Sequence, residues 1–124
     1  MMDELKKWLF KLIGMTDGLH AIIITDRDGV PVLKVATESA PELALRPSYL
    51  ATFGMVTEQA SKLGIGQNKS MVCMYNNHQV VHWNKLPLIV TLVADANANT
   101  GMILALETDL EDTIEELRHA VKAT

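Results

Sequence analysis

The sequence has 124 residues, of which 48% are hydrophobic and 21% are charged, and its formal net charge is −4. This length and composition suit a single domain over residues 1–124 with one apolar core, and they exclude a disordered chain. The eleven lysines and arginines are scattered along the chain, so no basic patch is formed and no nucleic-acid partner is expected.

The sequence also carries signals about its compartment. Cys73 is the single cysteine, so no internal disulfide can form and a reducing, cytosol-facing location is expected. The apolar stretch 86–94 is about half as long as a membrane-spanning helix must be. Residue 2 is Met rather than Gly, and no prenylation cysteine ends the chain. We therefore expect no direct membrane insertion, and any membrane association should come through partners.

The first predicted elements are a helix and a hairpin. Apolar residues recur at helical spacing over 5–13, and Asp3 is a plausible N-cap. Two apolar, β-branched runs follow at 19–25 and 30–35. The turn-forming segment 26–29 lies between them, which predicts a tight β-hairpin.

A loop with two prolines, over 37–47, separates the hairpin from a second helix. Ser48 is predicted to open this helix, which should end near Leu63 because Gly64 follows. Six apolar residues spread over an arc wider than contact with one sheet requires. They are Tyr49, Leu50, Phe53, Val56, Ala60 and Leu63.

The rest of the chain predicts a three-stranded meander and a last helix. The strands are expected at 69–75, 78–84 and 88–94, and Asn99 or Thr100 could cap the helix. Its first turns could instead form strand. Several strand runs are apolar on both faces, which predicts helices on both sides of an antiparallel five-stranded α+β sheet.

No segment has the pattern of a catalytic or metal site. The loop 64–70 has a lysine and glycines, but it leaves a helix and enters a strand, which is the reverse of a phosphate loop. The turn 26–29 lacks the later ligands of a calcium loop. His78 and His82 lie too far apart along a strand to share one ion with Cys73, which is expected to be a buried, inert thiol. We therefore expect no catalytic residue, no metal and no cofactor.

Several short segments nevertheless form a recognisable set. They are Gly-Leu-His-Ala-Ile at 18–22, Asp-Arg-Asp-Gly-Val-Pro-Val at 26–32, Leu-Arg-Pro at 45–47, Ser-Lys-Leu-Gly at 61–64, Asn-Lys-Ser at 68–70, Gln-Val-Val at 79–81 and Ala-Asn-Thr-Gly at 98–101. In number and order they resemble the roadblock-domain subunits of the lysosomal Ragulator complex, a family of MAP-kinase-kinase partners and MAP-kinase scaffolds.

The resemblance implies a roadblock/LC7 fold, with the second helix on one face of the sheet and the first and third helices on the other. Members pair through their third strands and second helices. Between residues 70 and 76 this chain has no charge and no proline, so an edge strand there would be open to pairing. The partner-interface residues expected on this basis are Tyr49, Phe53, Val56, Thr57, Ala60, Met71, Val72, Cys73, Met74 and Tyr75.

The function implied by the resemblance is that of a non-catalytic scaffold. The partners would be a second roadblock-domain subunit in a heterodimer, other Ragulator subunits including a lipidated anchor, Rag GTPases, MAP-kinase kinase and MAP kinase. The location would be the cytoplasmic face of late endosomes and lysosomes, in mTOR and amino-acid signalling. An alternative is a GTPase-regulatory subunit, an exchange factor or an activator, acting on Rag GTPases, for which Arg27 and Arg46 are the loop arginines available. A small-ligand sensor is a third hypothesis.

Overall fold

The computed structural model of the chain describes residues 2–122. The elements are α1 (Met2–Met15), β1 (Leu19–Thr25), β2 (Pro31–Ala36), a short 3₁₀ helix (Glu42–Leu45), α2 (Pro47–Ala60), β3 (Ser70–Met74), β4 (His78–Lys85), β5 (Leu88–Asp95) and α3 (Thr100–Lys122). Each predicted helix and strand is present, and the last helix begins without any strand segment.

The five strands form one antiparallel sheet in the order β2-β1-β5-β4-β3, which confirms the predicted fold class. The β1–β2 hairpin and the β3–β4–β5 meander are joined by the pairing of β5 with β1. The three inner strands are buried on both faces, apart from residues near their ends. The edges of the sheet are therefore β2 and β3.

The two faces of the sheet carry separate apolar clusters. The larger one lies under α1 and α3 and includes Leu9, Leu12, Ile22, Ile24, Trp83, Val90, Leu110 and Ile114. The smaller one lies under α2 and the 3₁₀ helix and comprises Ala21, Ile23, Ala44, Leu50, Val80 and Val93. Neighbouring residues of β1 alternate between the two clusters, because successive side chains of a strand point to opposite faces. This is the predicted arrangement of helices.

The hairpin between β1 and β2 docks directly on α2. The Asp26 carboxylate accepts hydrogen bonds from the backbone N–H groups of Asp28 and Val30, at 2.9 and 3.0 Å. A Cβ on Gly29, whose φ is 84°, would lie 2.3 Å from the Pro47 carbonyl oxygen. A Cβ on Gly54 would lie only 2.9 Å from a carbonyl oxygen of the hairpin. Glycine at both positions therefore allows close backbone contact.

Helix ends are where the structure departs most from the sequence prediction. α1 begins at Met2, so Asp3 lies in its first turn rather than at its cap. α2 begins at Pro47, whose ring presets the helical φ at the first position, and not at Ser48. The cap of α3 is Asn99, whose side-chain oxygen accepts a hydrogen bond from the Met102 N–H at 3.1 Å.

α2 also ends earlier than predicted, at Ala60 rather than Leu63. The Ser61 hydroxyl donates to the Thr57 carbonyl at 2.8 Å and accepts from the Asn68 N–H at 2.9 Å. This turn redirects the chain toward β3. Leu63 therefore lies in a loop and is exposed, although its spacing matched the helix.

A buried amide joins the start of β4 to the connection between β5 and α3. Gln79 is fully buried, and its NH₂ group donates to the carbonyls of Asp95 and Ala98 at 3.0 and 2.9 Å. Its oxygen accepts a hydrogen bond from the Thr100 hydroxyl at 2.6 Å. The buried amide of this one side chain is thus hydrogen-bonded at both its nitrogen and its oxygen.

We predict that Gln79→Met lowers the free energy of unfolding by about 2–4 kcal/mol, because three hydrogen bonds of a buried side chain are lost while the side-chain volume is kept. Chemical denaturation followed by circular dichroism measures this change. The matched control is Gln67→Met, at an exposed position, which should stay within about 0.5 kcal/mol of the unmodified chain. Equal effects of the two substitutions would contradict a structural role for the buried amide.

Candidate partner interface

The edge strand β3 has one neighbour, β4, and within residues 2–122 no strand pairs with its outer side. Met71 and Cys73 are half-buried on the side of the sheet that carries α2. Val72 and Met74 lie on the opposite side and are exposed. Tyr75, just beyond the strand, is also exposed. The strand is therefore apolar on both sides and bare along one edge.

The direction of the backbone groups of β3 follows from its flanking hydrogen bonds. The Tyr75 N–H donates to the His78 carbonyl, and the Asn84 N–H donates to the Lys69 carbonyl, each at 2.8 Å. Bonded and non-bonded pairs alternate in an antiparallel ladder, so the odd-numbered residues of β3 bond to β4. The residues that direct their N–H and C=O groups outward are Ser70, Val72 and Met74.

The other edge of the sheet, β2, has features that discourage strand addition. β2 begins with Pro31, carries the exposed Lys34 in its middle, and has a register shift opposite Ile24 and Thr25. Proline, charge and irregular pairing all discourage the addition of a further strand. β3 has none of these features. Strand addition is therefore favoured at β3 and disfavoured at β2.

α2 extends the apolar surface beside β3. The Tyr49 hydroxyl donates to the Tyr75 hydroxyl at 2.9 Å, which ties the start of α2 to the end of β3. Burial, followed by this hydrogen bond, raises the pKa of Tyr49 far above its usual range, so the hydroxyl keeps its proton. Val56 is exposed and Ala60 is half-buried further along the helix. Together with Met71 and Cys73 they place accessible apolar side chains on this side of the sheet.

Two of the ten residues expected at the interface, Phe53 and Thr57, are buried in the free chain instead. Phe53 is only 5% exposed, and its ring stacks on the His82 ring with centroids 3.3 Å apart. Thr57 is 9% exposed, and its hydroxyl bonds with the Asn68 side-chain oxygen at 3.2 Å. Both residues position α2 on the sheet rather than present a surface. The other eight remain accessible and stay a prediction as interface residues.

Cys73 also differs from expectation, because it is half-buried at the sheet edge rather than fully buried. Burial still raises the pKa of its thiol, so the thiol stays protonated. Its partner across the ladder is Val80. Among the described residues no group of three His, Cys, Asp or Glu side chains could hold a metal ion.

Sequence reasoning missed two exposed apolar residues near this surface. Ile65 is 90% exposed between Gly64 and Gly66, and Leu43 is exposed on the 3₁₀ helix. Both lie in segments predicted as loops, where a single apolar residue belongs to no periodic pattern. The flanking glycines of Ile65 were the one available signal, because they mark a tight loop that leaves the side chain outside the core.

A small cavity opens at the end of β3 nearest Tyr75, and we name it the edge notch. Its volume is about 300 Å³, at the lower limit for small-molecule sites. The lining residues are Pro41, Leu43, Ala44, Tyr49, Tyr75, His78 and Val80. Apolar side chains dominate this lining, and few polar groups converge in it, so it suits an apolar side chain better than a cofactor.

His82 lies beneath α2 and is 2% exposed. Its Nδ1 is 2.9 Å from the Thr91 hydroxyl, while its buried Nε2 has no hydrogen-bond partner. Burial lowers the pKa of His82 from 6.5 to about 3, so the ring is neutral at physiological pH. The ring therefore serves as part of the packing against Phe53.

No described helix of the chain is both long and apolar enough to cross a membrane.

Comparisons with known proteins place these features in context. The sequence model of a family described as mitogen-activated protein kinase kinase 1 interacting matches residues 3–121. Ragulator complex protein LAMTOR3-B of Xenopus laevis is 56% identical over 122 residues, which cover 98% of this chain and 99% of the relative. Ragulator complex protein LAMTOR3 of Homo sapiens is 52% identical over 124 residues, with both chains covered completely.

Solved structures with the same fold are much more distant in sequence. A Roadblock/LC7 domain from Streptomyces avermitilis superposes with a TM-score of 0.68 at 13% identity, covering 93% of this chain and 96% of that chain. A structure described as MglB with tetrameric arrangement gives a TM-score of 0.72 at 13% identity, covering 93% of this chain and 90% of that one. These similarities establish a roadblock/LC7 fold.

The buried His82 predicts a pH dependence of stability. Its folded-state pKa of about 3 lies below the ordinary 6.5, so the unfolded chain binds the proton more readily and stability falls as pH falls below 6.5. Between about pH 7 and about pH 5 the loss should be about 2 kcal/mol.

Urea denaturation at several pH values measures this loss in the unmodified chain and in His82→Gln, which cannot take up the proton. The variant should lose most of the pH dependence in this interval. The matched control is His119→Gln, at an exposed position on α3, which should keep it. Parallel pH profiles for the unmodified chain and His82→Gln would show that the buried ring does not set the dependence.

Proposed function

This chain belongs to the family of mitogen-activated protein kinase kinase 1 interacting proteins, and we propose that it acts as a scaffold subunit that pairs its β3 edge with a second roadblock-domain chain. The proposal treats residues 1–124 as one roadblock domain. The observation that carries it is the contrast between the two sheet edges. β2 contains a proline and an exposed lysine, which discourage strand addition. β3 has no proline and no charge, and it offers apolar side chains and outward backbone groups.

Pairing at β3 would use two kinds of contact. Ser70, Val72 and Met74 would exchange backbone hydrogen bonds with a strand of the partner, which gives affinity without requiring a particular sequence. The exposed part of α2, with Val56 at its centre and the small Ala60 near its end, would pack on a helix of the partner. Apolar surface that is accessible in the free chain would then be buried.

The relatives' names support a more specific role in the Ragulator complex. Relatives that are 52–56% identical over almost the full length are Ragulator complex proteins. In this role the chain forms a heterodimer with another roadblock subunit and is held at the lysosomal surface by other subunits, including a lipidated anchor. The assembly recruits Rag GTPases, MAP-kinase kinase and MAP kinase at late endosomes and lysosomes for mTOR signalling.

A scaffold role also fits the chemistry of the chain better than catalysis. Both the names of the relatives and the roadblock fold indicate a non-catalytic adaptor. A direct GTPase-activating role has less support, because the Arg27 guanidinium is 3.3 Å from the Glu58 carboxylate rather than free. His82, the histidine whose pKa is strongly lowered, is buried and stacks on Phe53.

We predict that Val72→Pro prevents recovery of the second roadblock chain in a pull-down with mass spectrometry from a cytosolic and lysosomal extract. Proline removes an outward N–H donor but leaves the hydrogen bonds from β3 to β4 in place. The control is Glu111→Lys on α3, which should recover the partner as the unmodified chain does. Undiminished recovery with Val72→Pro would mean that the partner binds elsewhere.

The contribution of α2 is tested with Val56→Asp rather than at Phe53, because a charge at the buried Phe53 would unfold the chain and obscure binding. Val56→Asp should weaken heterodimer formation by about a hundredfold, since the carboxylate would be buried without a partner. Val30→Asp is the matched control, because Val30 is 54% exposed and Val56 is 43% exposed. Similar dissociation constants for these two variants, measured by calorimetry, would place the interface away from α2.

A further inference from the structure

A cavity of about 300 Å³ lies where the β1–β2 hairpin, the C-terminal half of α2 and the turn between β4 and β5 meet, and we call it the hairpin cavity. Its volume is at the lower limit for small-molecule sites. The hairpin provides Arg27, α2 provides Gly54 and Glu58, the loop after α2 provides Lys62, and the β4–β5 segment provides Leu86 and Ile89. None of these six is among the expected interface residues, so the hairpin cavity and the proposed pairing surface use different side chains.

The hairpin cavity is kept open by the lack of a side chain at residue 54. A Cβ on Gly54 would lie 2.9 Å from the Arg27 carbonyl oxygen and 3.4 Å from Cδ1 of Ile89. Ile89 is 3% exposed, and Leu86 is 38% exposed. These two side chains therefore give the cavity an apolar part that reaches from the surface to the core.

The polar groups of the hairpin cavity are of two kinds. The Asn84 amide is fixed, because it donates to the Asn68 carbonyl at 2.9 Å and accepts from the Leu86 N–H at 3.3 Å. The Lys62 ammonium and the Gln67 amide line the same cavity, and neither makes a hydrogen bond or an ion pair with another residue of the described range 2–122. Two side chains that can donate hydrogen bonds are therefore available to a ligand.

The ionised side chains of the hairpin cavity leave a surplus of positive charge. The Arg27 guanidinium is 3.3 Å from the Glu58 carboxylate, and Lys62 is a second cation. Asp28 lines a neighbouring cavity, which shares Arg27, Gly54 and Glu58, and not this one. Two cations and one carboxylate therefore favour an anionic ligand, although the whole chain has a net charge of −4.

The end of α2 limits how much negative charge a ligand can carry. The helix ends at Ala60, next to the hairpin cavity, and the C-terminus of a helix carries partial negative charge. This end opposes a doubly charged phosphate more strongly than a singly charged carboxylate. The cavity thus combines a preference for one negative charge with an apolar part.

We propose that the hairpin cavity binds a small monocarboxylate with a branched apolar chain. The carboxylate accepts hydrogen bonds from Lys62, Gln67 and the Arg27 guanidinium, while the chain lies on Leu86 and Ile89. The inference goes beyond the scaffold role and does not depend on it.

The probe is isocaproate, a branched six-carbon monocarboxylate, which is titrated into the full chain and followed by heteronuclear NMR. The backbone amides of Gly54, Gln67 and Leu86 should shift together with a dissociation constant of about 1 mM, as expected for so few ligand atoms. Isocaproamide has nearly the same shape without the charge and should bind at least about tenfold more weakly. Equal affinity for the carboxylate and the amide would overturn the proposal.

Two further probes separate the parts of the site. Acetate keeps the carboxylate but lacks the branched chain, so it should bind at least about tenfold more weakly than isocaproate. L-Leucine has the branched chain and the carboxylate but adds an ammonium group, which the surplus positive charge opposes, and a similar loss is expected. If either probe binds as tightly as isocaproate, the assigned contacts are wrong.

Two substitutions should change the affinity in opposite directions. Lys62→Gln should raise the dissociation constant of isocaproate by about fivefold or more, because the ammonium that meets the carboxylate is lost. Glu58→Gln should lower it by about threefold, because Arg27 is released from its ion pair. The matched control is Lys11→Gln on α1, which should stay within about twofold. Unchanged binding by Lys62→Gln, or weaker binding by Glu58→Gln, would overturn the proposal.

Folding and partner binding are checked in the same variants. Lys11, Glu58 and Lys62 are exposed, so circular dichroism should show the same unfolding transition for each variant. Lys62→Gln should also recover the second roadblock chain in the pull-down as the unmodified chain does. Loss of isocaproate binding with undiminished recovery supports a ligand site that is independent of the scaffold role, and a failed titration leaves that role intact.

Discussion

Three helices have to cover two faces of a five-stranded sheet, and the cover is uneven. α1 and α3 bury one face of the inner strands, and α2 with the short 3₁₀ helix buries the other. β3 lies beyond this cover, so its side chains alternate between half-buried and exposed while those of β1 and β5 are almost all buried. Because the helices do not cover β3, apolar surface stays accessible there, and association with another chain can bury it.

The sequence predicted the parts of the fold that depend on local patterns. The unbroken apolar run of β1 indicated burial on both faces, and the lack of charge in β3 indicated an open edge. It could not separate Phe53 from Val56, because both fall on the same wide arc of α2. What distinguishes them is the ring of His82, which comes from a distant strand and stacks on Phe53 alone. The end of α2 was likewise set by Asn68, which reaches back to Thr57 and Ser61.

The comparisons show how much sequence change this fold tolerates. Roadblock domains at 13% identity keep the same architecture, as the superpositions show. Alternating burial across two clusters can be met by many apolar sequences, so few identities are needed to keep the sheet and helices in place. Relatives at 52–56% identity over nearly the full length share far more than this pattern requires.

The alternating direction of the backbone along β3 limits how any partner can fit. Only Ser70, Val72 and Met74 offer outward N–H and C=O groups, so a bound strand can shift only in steps of two residues, or about 7 Å. α2 lies beside the strand and is tied to the segments before and after it by the Thr57–Asn68 and Tyr49–Tyr75 hydrogen bonds. A partner whose helix meets α2 poorly cannot improve the contact by a small slide without losing its whole hydrogen-bond ladder. A partner strand at this edge would therefore have to match both the backbone ladder of β3 and the surface of α2 in the same register.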